Sequence, residues 1–258
     1  MELLNGNQTA ALLTYYLLEK WKEAKRLKGN EYIVKTIVTS DLLKAIADHY
    51  GVACYNVLTG FKYIAEVIRN NEGKKVFICG GEESYGFNVG QYVRDKDAVV
   101  TCALAAEVAC WAASKGKTLY DLMSEVYLRF GFFKERMVSV TLKGKDGMEQ
   151  IKSIMNRFRE NPPSRLLGSE VVLFHDYKKR ETVDLVSDLR YEINLPESDV
   201  LQFVCADNTV VTIRPSGTEP KIKYYYGVRT EIPSEDQYEV KCRDLDEKLN
   251  ALNDLFQK

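Results

Sequence analysis

Residues 211–226 read VTIRPSGTEPKIKYYY and place one arginine, two hydroxyls, a glycine and two lysines between two runs of strand-forming residues. Val210 to Ile213 and the run from Ile222 predict two strands, with Pro215 ending the ladder pairing of the first and Gly217 allowing a positive φ between them. Such a turn exposes successive backbone N–H groups, to which Ser216 and Thr218 add hydroxyl donors. Arg214 contributes a planar fork that fits two phosphate oxygens, and Lys221 and Lys223, two apart, point to one side of their strand. All of these donors could meet on one dianion. A hairpin with solvated charges is the plainer alternative, and the residue types leave both open.

A second cluster, CGGEESYGF at residues 79–87, directly follows an apolar strand. Its glycines allow a sharp bend where ligand crevices open in α/β sheets, and Glu82 and Ser84 fall on one side of an extended segment. A carboxylate beside a hydroxyl suits vicinal sugar hydroxyls, because the ionised oxygens accept strong hydrogen bonds. The competing reading is an acidic surface loop. In a third, LTGFK, Thr59 and Gly60 can cap a helix while Lys62 faces ligand or solvent.

Alternating strands and helices must position these loops. NGNQTAALLTYYLLEKWKEAKRLKG predicts a helix capped by Asn or Thr and stopped at Gly29; YIVKTIVTS a strand; DLLKAIADHYG a helix opened by Asp41 and closed by Gly51; ACYNVLTG a strand. FKYIAEVIRNNEG predicts a further helix, and KKVFICGG a buried strand of the α/β kind. Then come AVVTCALAAEVACWAASKG, with Val100, Leu104, Val108 and Trp111 on one face, and TLYDLMSEVYLRFG. The pattern breaks between about residues 131 and 137, which predicts a domain boundary. Beyond it the strands RMVSVTL, EVVLFHDY, LQFVCADNTVVTIRP and KIKYYYGVRT, the helix GMEQIKSIMNRFREN and a terminal helix predict an α+β unit. Tyr238, Cys242, Leu245, Leu249, Leu252 and Phe256 form the terminal helix's apolar stripe, suited to cover one sheet face.

Composition narrows the function classes. Among 258 residues, 36 basic side chains stand against 37 acidic ones, so no overall field favours nucleic acid or an anionic membrane, and an anion site must be local. Six cysteines (Cys54, Cys79, Cys102, Cys110, Cys205 and Cys242) lack C-x-x-C pairing and sit mostly in apolar runs, which predicts buried thiols in a reducing compartment. No apolar run approaches the roughly 18 residues of a membrane span, and a cytoplasmic location is expected. The immediate helical start predicts a segment of a longer protein.

In this order, GGEESYG, LTGFK and RPSGTEPKIKYY resemble the sugar-binding, specificity and phosphate-binding loops of the α-D-phosphohexomutases, the phosphoglucomutase/phosphomannomutase family. TGFK, DKDAV and SGTEPKIKYY lean to the phosphoglucomutase/phosphopentomutase branch, whereas EES is closer to ordinary hexose phosphomutases. The resemblance runs from LNGNQTAALL to the last helix. It implies that residues 1–132 are domain 3, a three-layer α/β sandwich with the sugar-binding loop. Residues 133–258 would be domain 4, a small α+β domain with an antiparallel sheet covered by helices on one face, TATA-binding-protein-like, with the phosphate-binding loop.

The activity so implied interconverts sugar 1-phosphates and 6-phosphates through a bisphosphate, using a phosphoserine on domain 1, magnesium held by three aspartates on domain 2, and a glucose 1,6-bisphosphate-type activator. Such catalysis is largely positioning and charge neutralisation. No serine here lies in a Thr-Ala-Ser-His-Asn-Pro loop, and Asp95 and Asp97 lack the third aspartate and read as helix-capping and dipole partners. His49 and His175 read as structural. The chain is therefore expected to carry no catalytic or metal residue and to bind without turnover, its partners being a phosphosugar and domains 1 and 2 of the same protein. Carried over by position, Arg214, Ser216, Gly217, Thr218 and Lys223 would grip the phosphate that is not transferred. Glu82 and Ser84 would hold two sugar hydroxyls, and Thr59, Gly60 and Lys62 would line the rim. A histidine that bacterial phosphomannomutases place near these loops is missing, with Phe61 at one place and Tyr85 to Phe87 at the other, which tells against dual use of glucose and mannose. A non-catalytic phosphosugar-binding or regulatory module is the alternative.

Overall fold

The alternation of strands and capped helices is present in the computed structural model, which describes residues 3–142 and 146–257. The chain divides into two units, Met1–Phe133 with Glu231–Tyr238, and Lys134–Thr230 with Glu239–Lys258.

In the first unit, α1 (Gly6–Glu23) is opened by a capping box. Asn5 Oδ1 accepts the Gln8 N–H at 2.9 Å, and Gln8 Oε1 accepts the Asn5 N–H at 3.0 Å. The helix ends at Glu23 and does not run on to Gly29, which takes a left-handed φ of 95° in the following loop. Strands β1 (Glu31–Thr36), β2 (Ala53–Val57) and β3 (Val76–Gly81) are parallel; β4 (Phe87–Val89) runs antiparallel to β3, in the order β2-β1-β3-β4. Helices α2 (Leu42–His49) and α3 (Phe61–Asn70) lie on the chain before β2 and β3, and α4 (Ala98–Ser114) and α5 (Leu119–Phe130) complete the unit. Phe61, Ile64 and Ile68 of α3 pack on Tyr32, Val34, Val57 and Phe77. Thr14 of α1 meets Cys79 from the opposite side (3.7 Å). The sheet is thus the middle of three layers, and no single helix among the described residues is long and apolar enough to cross a membrane.

Several local expectations change. Asp41 makes no capping bond; Ser40 Oγ accepts the Leu42 N–H (3.2 Å). Asp41 instead pairs at 2.9 Å with Lys35, which is 1% exposed and whose buried charge needs a counter-ion more than the helix needs a second cap. On α4 the buried face is Leu104, Val108 and Ala112, with Val100 exposed and Trp111 half-buried against Tyr15 and Tyr16. Cys102 and Cys110 lie on the exposed side of that helix, so the buried-thiol expectation holds for Cys79 and Cys205 only; Cys54 and Cys242 are half-buried.

The second unit contains β5 (Phe132–Thr141), α6 (Gly147–Glu160), β6 (Arg165–Leu166), β7 (Ser169–Asp176), β8 (Glu181–Asp184), β9 (Arg190–Glu192), β10 (Leu201–Cys205), β11 (Val210–Pro215), β12 (Lys221–Thr230) and α7 (Tyr238–Phe256). The strand order is β5-β12-β11-β10-β7-β8-β9, with β6 beside β7, and the registered pairs are antiparallel. Phe256 of α7 and Phe158 of α6 meet Phe203, and Phe256 also meets Tyr224 and Tyr226, so both helices cover one face. Leu245, Leu249, Leu252 and Phe256 form the buried stripe of α7. On the ladder Val211 stands opposite Phe203 and Tyr226, which puts Val211 and Ile213 on the helix side. Thr212 and Arg214 therefore face away from the helices.

Candidate functional site

In the first unit the loop from Glu82 to Gly86 joins β3 to β4 and is closed by the Glu82 N–H on the Gly86 carbonyl (2.8 Å). Gly80 and Gly81 are strand residues that serve closeness and not bending. A Cβ on Gly80 would lie 3.0 Å from Ile64 Cγ2 and 3.1 Å from the Val34 carbonyl, and one on Gly81 2.9 Å from Phe87 Cδ2. The left-handed turn is taken by Tyr85, with φ 68°. Because the segment turns, Glu82 and Ser84 do not share a side: Glu82 is 6% exposed, while Ser84 is exposed.

Glu82 Oε1 accepts the N–H of Gly60 at 3.0 Å, which ties two of the three singled-out loops to one carboxylate. Gly60 is the residue before α3, with φ 123° and no side chain to cap the helix. Thr59 does not cap it either; its Oγ1 is buried and without a hydrogen-bond partner among the described residues. Lys62 is exposed, with Nζ 4.8 Å from the Tyr63 ring centroid, at the edge of a groove of about 580 Å³ shared with Arg69 and Arg94.

In the second unit β11 runs through Pro215, which still pairs with Ile222, and Arg214 stands directly opposite Lys223. Like charges in this position repel. Among the described residues neither forms a salt bridge; Arg214 Nη1 donates to Tyr225 Oη at 3.4 Å. Lys221 is different, since its Nζ lies 2.7 Å from Glu219 Oε2, and this bond with the neighbouring charge holds the Glu219 carboxyl below its usual range. Ser216 Oγ accepts the N–H groups of Thr218 (3.4 Å) and Glu219 (3.3 Å), and the Ser216 N–H donates to the Lys221 carbonyl (2.7 Å). Two amides expected to face outward are thus held loosely within the turn. Gly217 does not take a positive φ; no atom lies within 4 Å of where its Cβ would be, so its use is open space.

Other residues bear on these loops without a sequence signal of their own. Gly6 sits so close to the backbone of the Glu82–Gly86 loop that a Cβ there would lie 1.9 Å from the Glu83 carbonyl oxygen, and Tyr85 Oη donates to the Leu4 carbonyl (3.0 Å). Asn7 Oδ1 accepts the Ser40 N–H (2.9 Å). The Lys96 stem lies against Gly86, whose Cβ would be 3.0 Å from Lys96 Cδ and 2.9 Å from Glu82 Oε2, and Lys96 Nζ lies 5.2 Å from the Phe61 ring centroid. These contacts join residues far apart in the chain, so spacing cannot reveal them. Tyr225 was within reach of the period-2 rule, since it lies two residues past Lys223 on the same strand face.

Asp95, Asp97 and the two imidazoles are committed to structure. Asp97 Oδ1 accepts the Val100 N–H at 3.0 Å and caps α4, while Asp95 accepts from the side chain and backbone of Lys96, which hold its carboxyl low. Among the described residues no three His, Cys, Asp or Glu side chains gather as a metal site. His49 Nε2 meets Arg129 Nη2 (2.7 Å), and His175 Nδ1 meets Thr182 Oγ1 (2.7 Å). Burial pushes His175 down to about 4.

Residues 5–130 match the family model described as phosphoglucomutase/phosphomannomutase, alpha/beta/alpha domain III. A phosphoglucomutase of Staphylococcus aureus is 38% identical over 248 residues, which make up 96% of this chain and 42% of that protein. The chain thus spans about two fifths of the length of the curated relatives it matches. Among solved structures, the exocytosis-sensitive phosphoprotein parafusin from Paramecium, in its open form, aligns with a TM-score of 0.61 at 17% identity, covering 99% of this chain and 40% of that one. A phosphoglucomutase/phosphomannomutase family protein from Burkholderia thailandensis aligns with 0.55 at 13% identity, covering 98% and 43%. At those identities the structural likeness speaks for the fold.

Proposed function

The chain belongs to the α-D-phosphohexomutase family and corresponds to its C-terminal domains, and we propose that it is the substrate-binding C-terminal half of a phosphoglucomutase/phosphomannomutase that interconverts sugar 1-phosphates and 6-phosphates. The observation that carries this is the pair Arg214 and Lys223, two cations face to face on a ladder that form no salt bridge among the described residues, the nearby Glu219 carboxylate being bonded to Lys221 and felt by Lys223 only through its charge. Such a pair costs stability unless an anion joins it. A phosphate dianion satisfies both, with the Arg214 fork taking two oxygens, Lys223 a third contact, and the Ser216 and Thr218 hydroxyls donating from the turn. The open space at Gly217 admits the anion to the backbone.

Glu82 is the sugar grip in this reading. Its Oε1 is held by Gly60, which leaves Oε2 to accept from hydroxyls of the ring, those on carbons 3 and 4, with Thr59 Oγ1 supplying an unspent polar atom and Ser84 contributing from the exposed part of the loop. Lys62 stands at the rim. The phosphate site of the second unit then accepts either phosphate of the substrate, in its two orientations. Donors that bind a charge without a shape-fitted pocket tolerate that exchange.

Magnesium, which the family implies, does not fit the donors present: Asp97 caps a helix and Asp95 is engaged by Lys96. No step here runs through the metal, and we assign it, the phosphoserine and the bisphosphate activator to other domains of the whole protein. This chain alone is then a binder without mutase activity, working in the cytoplasm on phosphosugars. Titration of the chain with glucose 1-phosphate, glucose 6-phosphate and ribose 5-phosphate tests the reading. Binding at millimolar ligand or tighter, lost on Arg214→Ala, is expected; no response to any sugar phosphate rejects it.

A further inference from the structure

Arg214 is the cation on which the phosphate reading rests, and its surroundings differ from those of Arg159, another half-buried arginine of the same unit. Arg159 reaches Asp176 through Nε (3.0 Å) and Asp199 through Nη2 (2.5 Å), so its charge is met by two carboxylates. Arg214 meets a phenol. Its Nη1–H points to Tyr225 Oη, diagonally across the ladder, since Arg214 pairs with Lys223 and Tyr225 with Thr212. Diagonal neighbours on one face are within reach of long and aromatic side chains.

The phenol is itself held. Tyr225 is 7% exposed, and the row it belongs to continues across three strands: Tyr225 stands opposite Thr212, Thr212 opposite Gln202, and Gln202 opposite His175. Gln202 Nε2 donates to Thr212 Oγ1 (2.8 Å), Tyr177 Oη donates to Gln202 Oε1 (3.2 Å), and His175 meets Thr182. This face carries a row of neutral hydrogen-bonding groups, all in or beside the buried sheet, up to the point where Arg214 emerges. A neutral acceptor fixes one of the five guanidinium N–H groups and leaves both the charge and the remaining donors free. A carboxylate in the same place would compete with the ligand anion.

We propose that Tyr225 is a positioning residue: its hydroxyl aims the Arg214 guanidinium at the bound phosphate without neutralising it, so that the fork is set before the anion arrives. The inference deepens the phosphate reading and rests on it. Fixing a long side chain in its bound direction removes part of the ordering cost of binding.

The test uses the chain as given, with inorganic phosphate as the probe, titrated by NMR chemical shifts, and thermal melts of each variant alongside. Tyr225→Phe keeps the ring and removes only the hydroxyl, donor and acceptor alike. It should weaken phosphate binding roughly threefold to tenfold, the scale of one neutral hydrogen bond, with the melting temperature held. In an Arg214→Lys background, where the planar fork is gone, the same change should have little further effect. That coupling separates aiming from a general loss of stability, and it can be read even if Tyr225→Phe lowers the melt. Equal affinity for the chain with and without the hydroxyl overturns the proposal, and so does an undiminished effect in the Arg214→Lys background. If Arg214→Ala also leaves phosphate binding unchanged, or the unaltered chain binds none, the phosphate reading itself falls and takes this inference with it.

Discussion

At the scale of single residues, the distinction is between charges that are spent and charges that are kept. Lys35 is buried and gives its ammonium to the carbonyls of Thr36 and Thr39 and to Asp41; Arg159 lies between two aspartates; Lys221 holds Glu219. Arg214 and Lys223 form no salt bridge among the described residues, although Lys223 helps to hold the Glu219 carboxyl low, and they stand opposite each other. If the proposed function holds, Arg214→Ala in the full-length protein should give a higher KM and a kcat/KM lowered by roughly 2 kcal/mol or more, the size of a lost charge-assisted contact. Steady-state kinetics with glucose 1-phosphate would decide it. Kinetics equal to wild type would remove Arg214 from the substrate.

At the scale of elements, the loop between β3 and β4 is shaped by a helix that precedes it by some eighty positions. The start of α1 lies against the Glu83 backbone so tightly that Gly6 has no room for a Cβ, and Asn7 of the same turn fastens Ser40 after β1. Gly6→Ala should therefore push α1 and the loop apart, costing about 1–3 kcal/mol as overpacking does and weakening sugar-phosphate binding more than inorganic-phosphate binding. Urea melts and the two titrations together would show it. Wild-type stability in that variant would mean that the loop yields freely and that α1 does not set its position.

At the scale of the whole molecule, the imidazoles contribute to the acid limb of stability alongside carboxylates held low, such as Asp207. His175 has its folded value depressed to about 4 by burial, against about 6.5 unfolded. The unfolded chain binds the proton more readily, so the contribution is complete above about pH 6.5 and is lost as pH falls from there towards 4. By pH 5 the second unit should be about 2 kcal/mol less stable than at pH 8 on this account. His49 is lowered too, by burial first and then by Arg129 and Lys22, and acts in the same direction in the first unit. The informative measurement is therefore the difference between wild type and His175→Gln in urea melts across that range. Parallel pH profiles for the two proteins would show that His175 is not the group responsible.

Much of this protein is readable from local order in the chain. Apolar strands separated by capped helices, the change of rhythm after residue 130, and the α7 stripe follow from periods of 2 and 3.6 that each segment carries by itself. The donors of RPSGTEPK and the carboxylate of GGEES were legible for the same reason, being dense in a few residues. What spacing assigned wrongly was conformation: Gly217 has no positive φ, Tyr85 has one, Ser84 does not share a side with Glu82, and Asp41 leaves its helix to Ser40. Those outcomes depend on neighbours the chain order does not reveal, such as the buried Lys35 that claims Asp41. The sequence by itself determined which chemistry is available, because side-chain type is local. Only the tertiary structure decided which charges stay free to use it, because a charge is spent or kept according to what folds against it: Glu82 on Gly60, Lys221 on Glu219, and Arg214 on a phenol that leaves its charge intact.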